Sequence, residues 1–461
     1  MTYEELSTPS YIVDEGALKW NLALLHSVEE RTGCKILLAQ KAFSMFRVYP
    51  LIGEYLSGTT ASGIYEALLC KEEMQGKVLL GKRKEAPKED SLKETWQKTV
   101  CAGKETEGEV NGENEESGDI FQYKNLENHV FEPAYKEEEM KELCEICDHI
   151  YFNSLAQLEA HRPVWEPYVK QGKLQIALRI NPEYSTQEGH AIYDPCAPGS
   201  RLGIRLEQLP EKLPEGVTGL HMHTLCEQGV EPLIDTFRSV EERFGHYLKQ
   251  ISWMNLGGGH HITKRDYDVE RLVTFLLELC EKYGFRIYLE PGEAIALNAG
   301  TLITRVLDVV ETSDIPTLIV DASAACHMPD VLEMPYTPPL LGVRNGMTGR
   351  EIFKDGEAVL REGEQAEAER AEGEQTDASA GVEVRIASRT CLAGDVIGIY
   401  HLPECPKIGD IITFGDMAIY SMVKNNTFNG MALPDIVLQH EDGDYELVKR
   451  FGYEDFKGRL S

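Results

Sequence analysis

Short continuous apolar runs alternate with amphipathic segments along the first two thirds of the chain. Pro9 to Val13 (PSYIV) predicts a strand, with Asp14 placed to cap the helix that follows. That helix, EGALKWNLALLHSVEERTG, repeats apolar residues at Leu18, Leu22, Leu25 and Val28 and closes at Gly33. Next comes KILLAQKAFSMF, residues 35–46, where Ile36 to Ala39 and Ala42 enclose the polar pair Gln40 and Lys41. A run of this length and composition predicts a buried parallel strand. A helix from Phe46 to about Tyr55, a strand–loop–helix step around Thr60, Ser62 and GIYEALLC, and a strand opening at Val78 to Gly81 follow. Further on, helix is expected over 136–147, Leu155 to His161, Pro232 to Leu248 and Tyr267 to Tyr283. Strands are expected at His149 to Phe152, Leu174 to Ile180, Gly219 to His223, Ile251 to Leu256 and Phe285 to Glu290, the last stopped by Pro291-Gly292. Alternation of this kind from residue 35 to about 300 predicts an α/β fold, a (β/α) barrel or a doubly wound sheet.

The rhythm then changes. TLITRVLDVVE, TLIVDAS, DVIGIY and DIITFGDM are Val- and Ile-rich runs without long helices between them, which predicts an all-β region. Two stretches break the pattern. One, about 82–128, contains KETEGEVNGENEESGD, and order is expected to resume at Val130; the other, about 346–384, contains REGEQAEAERAEGEQTDASAG. Neither has an apolar stripe, so both read as solvated acidic insertions without chemistry.

Length and charge narrow the class. At 461 residues the chain has room for two domains. A net charge of −31 argues against nucleic acid and anionic membrane as partners. No apolar run is long enough to span a bilayer, and MTYEELSTPS lacks the basic start and apolar core of a secretory signal. Eleven cysteines without a framework spacing fit a reducing cytoplasm. Cys144 and Cys147 have CxxC spacing in a helical segment but no matching second pair, so two semi-buried thiols are expected there and no metal site.

Polar residues recur where strands of the first region end: Lys41, Arg179, His223, Gly257 to Gly259 and Glu290. Barrel enzymes carry their active sites at the C-terminal strand ends. Lys41 reads either as a snorkelling lysine or as a Schiff-base lysine kept reactive by desolvation or cationic neighbours. The three glycines read as a flexible turn or as a phosphate cradle, and do not match a dinucleotide fingerprint. Glu290 reads as an ion-pair partner of Arg179 or as the acid that keeps a pyridine nitrogen protonated.

The stretches LLAQKAF, GLHMHTLCEQ, NLGGGHH, EPGEA, DASAACHMPDVLEMPY, TCLAGD and GDMAIYSMVKNNTFNG together resemble the carboxynorspermidine (carboxyspermidine) decarboxylase family. That family belongs to the alanine-racemase-like (fold type III) pyridoxal-phosphate-dependent decarboxylases. The resemblance covers nearly all of the chain outside the two acidic stretches. It implies a (β/α)8 TIM-like barrel over 31–300 that binds pyridoxal 5'-phosphate, and a C-terminal β-sandwich or β-barrel domain over 301–461. Residues 1–30 would contribute a strand and helix to the β domain. By the same resemblance Lys41 holds the cofactor, His223 stacks on its ring in preference to His221, Arg179 lies near the ring, and Glu290 meets the pyridine nitrogen. Gly257, Gly258, Gly259, Gly292 and Tyr420 fall in the cofactor-binding segments, with the phosphate at the glycines and Tyr420. Cys391 is the expected proton donor, reaching into a partner subunit's site in a homodimer with shared active sites. Leu392 follows it directly and Asp395 comes four residues later, unlike ornithine decarboxylases, where Asp follows the cysteine. Glu293 stands where relatives that bind a substrate carboxylate have Arg, which suits an amine-bearing substrate. Asp330, Glu227, Glu333 and Asp395 are further carboxylates for a polyamine's ammonium groups.

The expected activity is therefore decarboxylation of carboxynorspermidine or carboxyspermidine to norspermidine or spermidine, in polyamine biosynthesis. Alternatives are a diaminopimelate- or ornithine-type decarboxylase, a racemase, a non-catalytic pyridoxal-phosphate-binding protein, or an acidic scaffold.

Overall fold

The computed structural model describes residues 1–79, 123–187, 191–344 and 381–461. They fall into two compact units: residues 20–79, 123–187 and 191–295 in one, and residues 1–19, 296–344 and 381–461 in the other.

The chain opens with strand β1 (Ser10–Asp14) and helix α1 (Glu15–Thr32), with the Ala17 N–H donating to the Asp14 carboxylate at 2.9 Å. Eight parallel strands then close a barrel in chain order: β2 (Lys35–Ala39), β3 (Gly58–Ala61), β4 (Glu127–Phe131), β5 (His149–Phe152), β6 (Gln175–Arg179), β7 (Val217–His221), β8 (Trp253–Asn255) and β9 (Arg286–Leu289). Strand β9 pairs with β2 through Lys35–Tyr288 and Ile36–Leu289 to complete the ring. Alternation explains why these strands read as unbroken apolar runs. One set of positions, including Ile36, Leu38, Val130, Ile150, Ile176, Leu220, Met254 and Ile287, is aliphatic and buried. The other set carries Leu37, Tyr151, Ala177, Trp253 and Tyr288, which form one cluster with Phe131 beside it. With them on that face are His129, His149, His221, Asn255 and Glu290, all buried. Polar groups this deep must find one another, and they do so inside the barrel.

The structure differs from the sequence pattern at several points. Strand β4 starts at Glu127, within the stretch read as insertion, because Asn128 is anchored to the carbonyls of Ala67 and Ile146 at 2.9 and 3.0 Å. The helix expected to stop at His161 runs from Leu155 to Lys170 through Pro163 and Pro167. Leu158, His161 and Trp165 keep a buried stripe at helical spacing there, and the Trp165 indole donates to the Leu158 carbonyl at 2.9 Å. Strand β7 ends at His221, so His223 lies in the loop beyond it. Of the strand expected at Val78 to Gly81, only an isolated antiparallel bridge between Leu79 and Tyr123 is seen, residues 80 and 81 lying outside the described residues. Cys144 and Cys147 are fully buried rather than half-buried. Residues 82–122 and 346–380 of the two acidic stretches also lie outside the described residues; the second expected stretch ended at 384, but Val382–Ser388 is already a strand.

The other unit is, among the described residues, one connected sheet of nine strands in mixed orientation. Strand β1 sits in its middle, antiparallel to β10 (Gly300–Val310) and parallel to β16 (Asp435–Gln439). Tyr11, Leu302, Val306, Leu318, Ile386, Ile412 and Phe414 form its apolar core.

Candidate active site

The polar groups singled out in the sequence converge at the strand ends of the barrel. Lys41 lies two residues past β2, half-buried, with its Nζ 3.3 Å from His223 Nε2. The Gly258 N–H donates to His223 Nδ1 at 3.1 Å, so that nitrogen carries no proton and Nε2 does. His223 therefore presents N–H to the lysine, an arrangement that suits a neutral amine. Burial of the amine, then the nearby charge of Arg179, lowers the Lys41 pKa. Burial likewise keeps His223 neutral, with the Lys41 and Arg179 charges acting in the same direction. Arg179 is itself buried; its guanidinium donates to the His223 carbonyl at 2.9 Å and lies 4.5 Å above the Phe131 ring. Burial brings its pKa down to about 10, which leaves it cationic at neutral pH.

Glu290 follows β9, and among the described residues it pairs with His221 and Asn255 rather than with Arg179. His221 Nε2 is 3.3 Å from one carboxylate oxygen, within ion-pair range but off line for a hydrogen bond. Asn255 Nδ2 donates to the other at 2.8 Å. Burial opposes the Glu290 charge, yet His221, then His129 and a hydrogen bond with Thr60, hold its carboxyl well below the usual range. Burial also pushes His221 below its usual value, so at neutral pH its help to Glu290 is that of a neutral ring rather than a cation. The His221 ring stacks on Tyr151, centroids 4.8 Å apart.

The glycine loop is shaped by close backbone approach. A Cβ at Gly258 would lie 1.9 Å from the Glu290 carbonyl oxygen, and one at Gly259 (φ +84°) 1.9 Å from that of Leu225. The Gly257 N–H donates to Asn255 Oδ1 at 2.8 Å and the Gly258 N–H to His223. Two of the three amides expected to cradle an anion are thus directed at side chains, and the phosphate expectation narrows to the Gly259 side of the loop. Gly292 packs close to Ala42, leaving no room for a side chain.

Glu293 opens a short helix, Glu293–Ala296, and its carboxylate is bonded to His261 Nε2. His261 was not singled out in the sequence, although it stands in NLGGGHH. Glu227 is exposed in the loop after β7 in a left-handed conformation (φ +52°). Sequence reasoning also missed Glu66 and Glu132, which follow β3 and β4. Burial raises both, Glu132 to about 7, and one Glu132 oxygen is buried without a hydrogen-bond partner. Nothing in their local sequence distinguishes them from surface acids.

The remaining residues belong to the sheet unit. Asp330 and Glu333, expected to bind substrate ammonium groups, are both paired there with the ammonium of Lys424. Asp395 is 3 % exposed; its carboxylate accepts from Ser323 at 2.7 Å, from Thr390 at 2.5 Å and from the Ala325 N–H at 3.2 Å. Those bonds tie a loop to a helix start through the carboxylate expected to meet substrate. Cys391 is exposed, its backbone N–H held by Asn429 Oδ1 at 2.8 Å. Tyr420 adopts a left-handed conformation (φ +54°) just before the helix Ser421–Lys424.

Comparison with known proteins agrees with this architecture. Residues 10–418 match the family model described as pyridoxal-dependent decarboxylase, C-terminal sheet domain. The chain is 35% identical over 459 residues to the carboxynorspermidine/carboxyspermidine decarboxylase of Campylobacter jejuni subsp. jejuni, covering 100% of both. It is 32% identical to the carboxyaminopropylagmatine decarboxylase of Synechocystis sp., covering 99% of this chain and 96% of that one. A crystal structure of carboxynorspermidine decarboxylase from Campylobacter jejuni, complexed with norspermidine, superposes with a TM-score of 0.74 at 33% identity, over 98% of this chain and 100% of that one. The chain belongs to the pyridoxal-dependent decarboxylases, in the carboxynorspermidine/carboxyspermidine decarboxylase family.

Proposed function

We propose that the protein decarboxylates carboxynorspermidine or carboxyspermidine to the corresponding polyamine, using pyridoxal 5'-phosphate held at Lys41. The observation that carries this reading is the grouping of a desolvated amine, an anionic buried carboxylate and a buried guanidinium at one end of a parallel barrel. The site suits the cofactor on its own chemistry. Both ring nitrogens of His221 are buried without a hydrogen-bond partner, beside a carboxylate that needs a cationic neighbour.

When bound, pyridoxal phosphate supplies an electron sink for the pair left as carbon dioxide departs. Lys41 would hold the cofactor's aldehyde carbon through its amine, whose pKa burial lowers, favouring the nucleophilic free form. Glu290 would accept a hydrogen bond from the protonated ring nitrogen and hold that proton in place. His223, locked by the Gly258 N–H, would lie against the ring, and Arg179 would fix the His223 backbone. The Gly259 side of the loop would meet the phosphate. Glu293 supplies a carboxylate for a substrate ammonium, with His261 holding it in position. Cys391 Sγ would deliver the proton that replaces carbon dioxide on the substrate carbon, from the partner subunit of a homodimer.

The test is decarboxylation by purified protein of both carboxytriamines, carboxyaminopropylagmatine, diaminopimelate, ornithine and lysine, side by side. The two carboxytriamines are expected to be the best substrates, and preference for an amino acid would overturn the reading. A methylene separates the two carboxytriamines, worth about 1–3 kcal/mol in a pocket, so preference between them is expected to be graded. Sharing of sites is tested by mixing inactive Lys41→Ala and Cys391→Ala chains. Random pairing of subunits restores about a quarter of the native sites if Cys391 acts across a dimer, and none if it acts within its own chain.

A further inference from the structure

A buried line of hydrogen bonds runs down the barrel interior from the candidate site, and the reaction as described does not use it. It starts at Glu290. Asn255, fully buried on β8, donates one Nδ2 hydrogen to Glu290 and the other to the Tyr151 hydroxyl at 2.9 Å. Having accepted from Asn255, the Tyr151 hydroxyl donates to His129 Nδ1. On its other side His129 Nε2 lies 2.9 Å from a Glu127 oxygen, and since a carboxylate only accepts, that nitrogen is the donor. Glu127 is anchored in turn by the ammonium of Lys35. The Asn255 N–H can only donate to Glu290, and the Tyr151 hydroxyl, having accepted the other Asn255 hydrogen, donates away from the carboxylate toward His129. The third bond of Asn255 matters as much: its Oδ1 accepts the Gly257 N–H at 2.8 Å. One side-chain amide, with no freedom to flip, thus binds both the carboxylate after β9 and the glycine loop after β8.

Glu127, His129 and His149 also bring metal-ligand atoms within 4.8 Å of one another. The Lys35 ammonium already pairs with Glu127, and His129 Nε2 and His149 Nδ1 lie 2.6 Å apart, so the group is complete as a hydrogen-bonded cluster. A dication there would face a fixed positive charge.

We propose that Asn255, oriented by Tyr151 and through it by His129 and Glu127, is a positioning residue that fixes Glu290 as a hydrogen-bond acceptor at a set distance from the glycine loop. Pyridoxal phosphate has its ring nitrogen and its phosphate at opposite sides of one rigid ring. A protein that binds both must hold the two receptors in register, and Asn255 is bonded to both. This inference rests on the cofactor assignment made above.

Two variants test it. Tyr151→Phe removes only the hydroxyl that orients Asn255 and His129, in a side chain of the same shape. Asn255→Ala removes both bonds at once. Each protein is loaded with ring-15N-labelled pyridoxal phosphate and reduced separately with borohydride to score attachment at Lys41. Attachment is expected in wild type and both variants. The ring-nitrogen shift is expected to move from the pyridinium toward the neutral pyridine range in Asn255→Ala and part of the way in Tyr151→Phe. Turnover is expected to fall about 10- to 100-fold in Asn255→Ala, the loss corresponding to one hydrogen bond to a charged group, with KM little changed. A merely structural role would lower the melting temperature and leave the nitrogen shift where it was. If Asn255→Ala does not fold, Tyr151→Phe alone decides. A wild-type nitrogen shift and wild-type turnover in the folded variants overturn the proposal. Failure of wild type itself to form the Lys41 adduct would instead remove the cofactor assignment.

Discussion

Replacing Gly258 by alanine probes one of the two tightest contacts in the candidate site. The added Cβ would lie 1.9 Å from the Glu290 carbonyl oxygen, 2.8 Å from its carbonyl carbon and 3.4 Å from Pro291 Cα. All three are backbone atoms, so no side chain can swing aside, and the loop must withdraw from the end of β9 by at least about 1 Å. That shift strains two bonds. One is the Gly258 N–H to His223 Nδ1 at 3.1 Å, and the other is the Glu290 N–H to the Gly257 carbonyl at 2.7 Å. Overpacking costs about 1–3 kcal/mol and each of the two hydrogen bonds, if lost, about 1 kcal/mol, giving a destabilisation of about 3–5 kcal/mol. Misplacement of reacting groups by about 1 Å costs about 100-fold in turnover. Release of His223 Nδ1 also frees its ring to change tautomer, so the N–H facing Lys41 is no longer assured. The assay is threefold: urea unfolding, absorbance titration with pyridoxal phosphate, and carboxytriamine decarboxylation. Gly245→Ala is the control. It sits inside the helix Val230–Leu248 with open space at its Cβ, and is expected to stabilise by about 0.5–1 kcal/mol. If Gly258→Ala binds cofactor and turns over like wild type, the loop is not held as described.

Other perturbations have defined outcomes. Burial raises the Glu132 carboxyl from 4.5 to about 7, so between those values the folded chain keeps a proton that the unfolded chain has lost. Stability should fall as pH rises through that window, and Glu132→Gln should flatten the fall in urea melts taken from pH 4 to 8. Glu293→Gln should raise KM for carboxytriamines about tenfold or more while sparing cofactor binding, and an unchanged KM would remove its role at the substrate ammonium. Leu302→Ala, in the sheet core, should cost about 2–5 kcal/mol of stability and leave the Lys41 adduct intact in the folded protein, which borohydride labelling checks.

Much of this was legible in the sequence. The closure of β2 ahead of Lys41, the strand at His149–Phe152 and the cap at Asp14 follow from period and turn chemistry, which are local properties. The strand-end residues Lys41, Arg179, His223 and Glu290 were legible because charge at the end of an apolar run is anomalous anywhere in a chain. Their pairings were not. Glu290 meets His221 and Asn255 because barrel closure brings inward positions of β7, β8 and β9 side by side, a relation between residues 34 to 69 apart that no local pattern carries. Asn255 was not singled out although it opens NLGGGHH, because one amide at the end of a three-residue strand carries no anomaly of its own. The helix through Pro163 and Pro167 was cut short on local grounds, whereas the burial of Trp165 decides it. Asp330, Glu333 and Asp395 read as available acids because sequence shows a carboxylate but not the Lys424, Ser323 and Thr390 groups that occupy it.

The central claim is that one desolvated amine carries the cofactor. Borohydride reduction of the protein loaded with pyridoxal phosphate, followed by proteolysis and mass spectrometry, measures this directly. The account predicts a single pyridoxyl adduct on the peptide containing Lys41, absent from Lys41→Ala. An adduct elsewhere, or no adduct on a protein that still decarboxylates carboxynorspermidine, would contradict it.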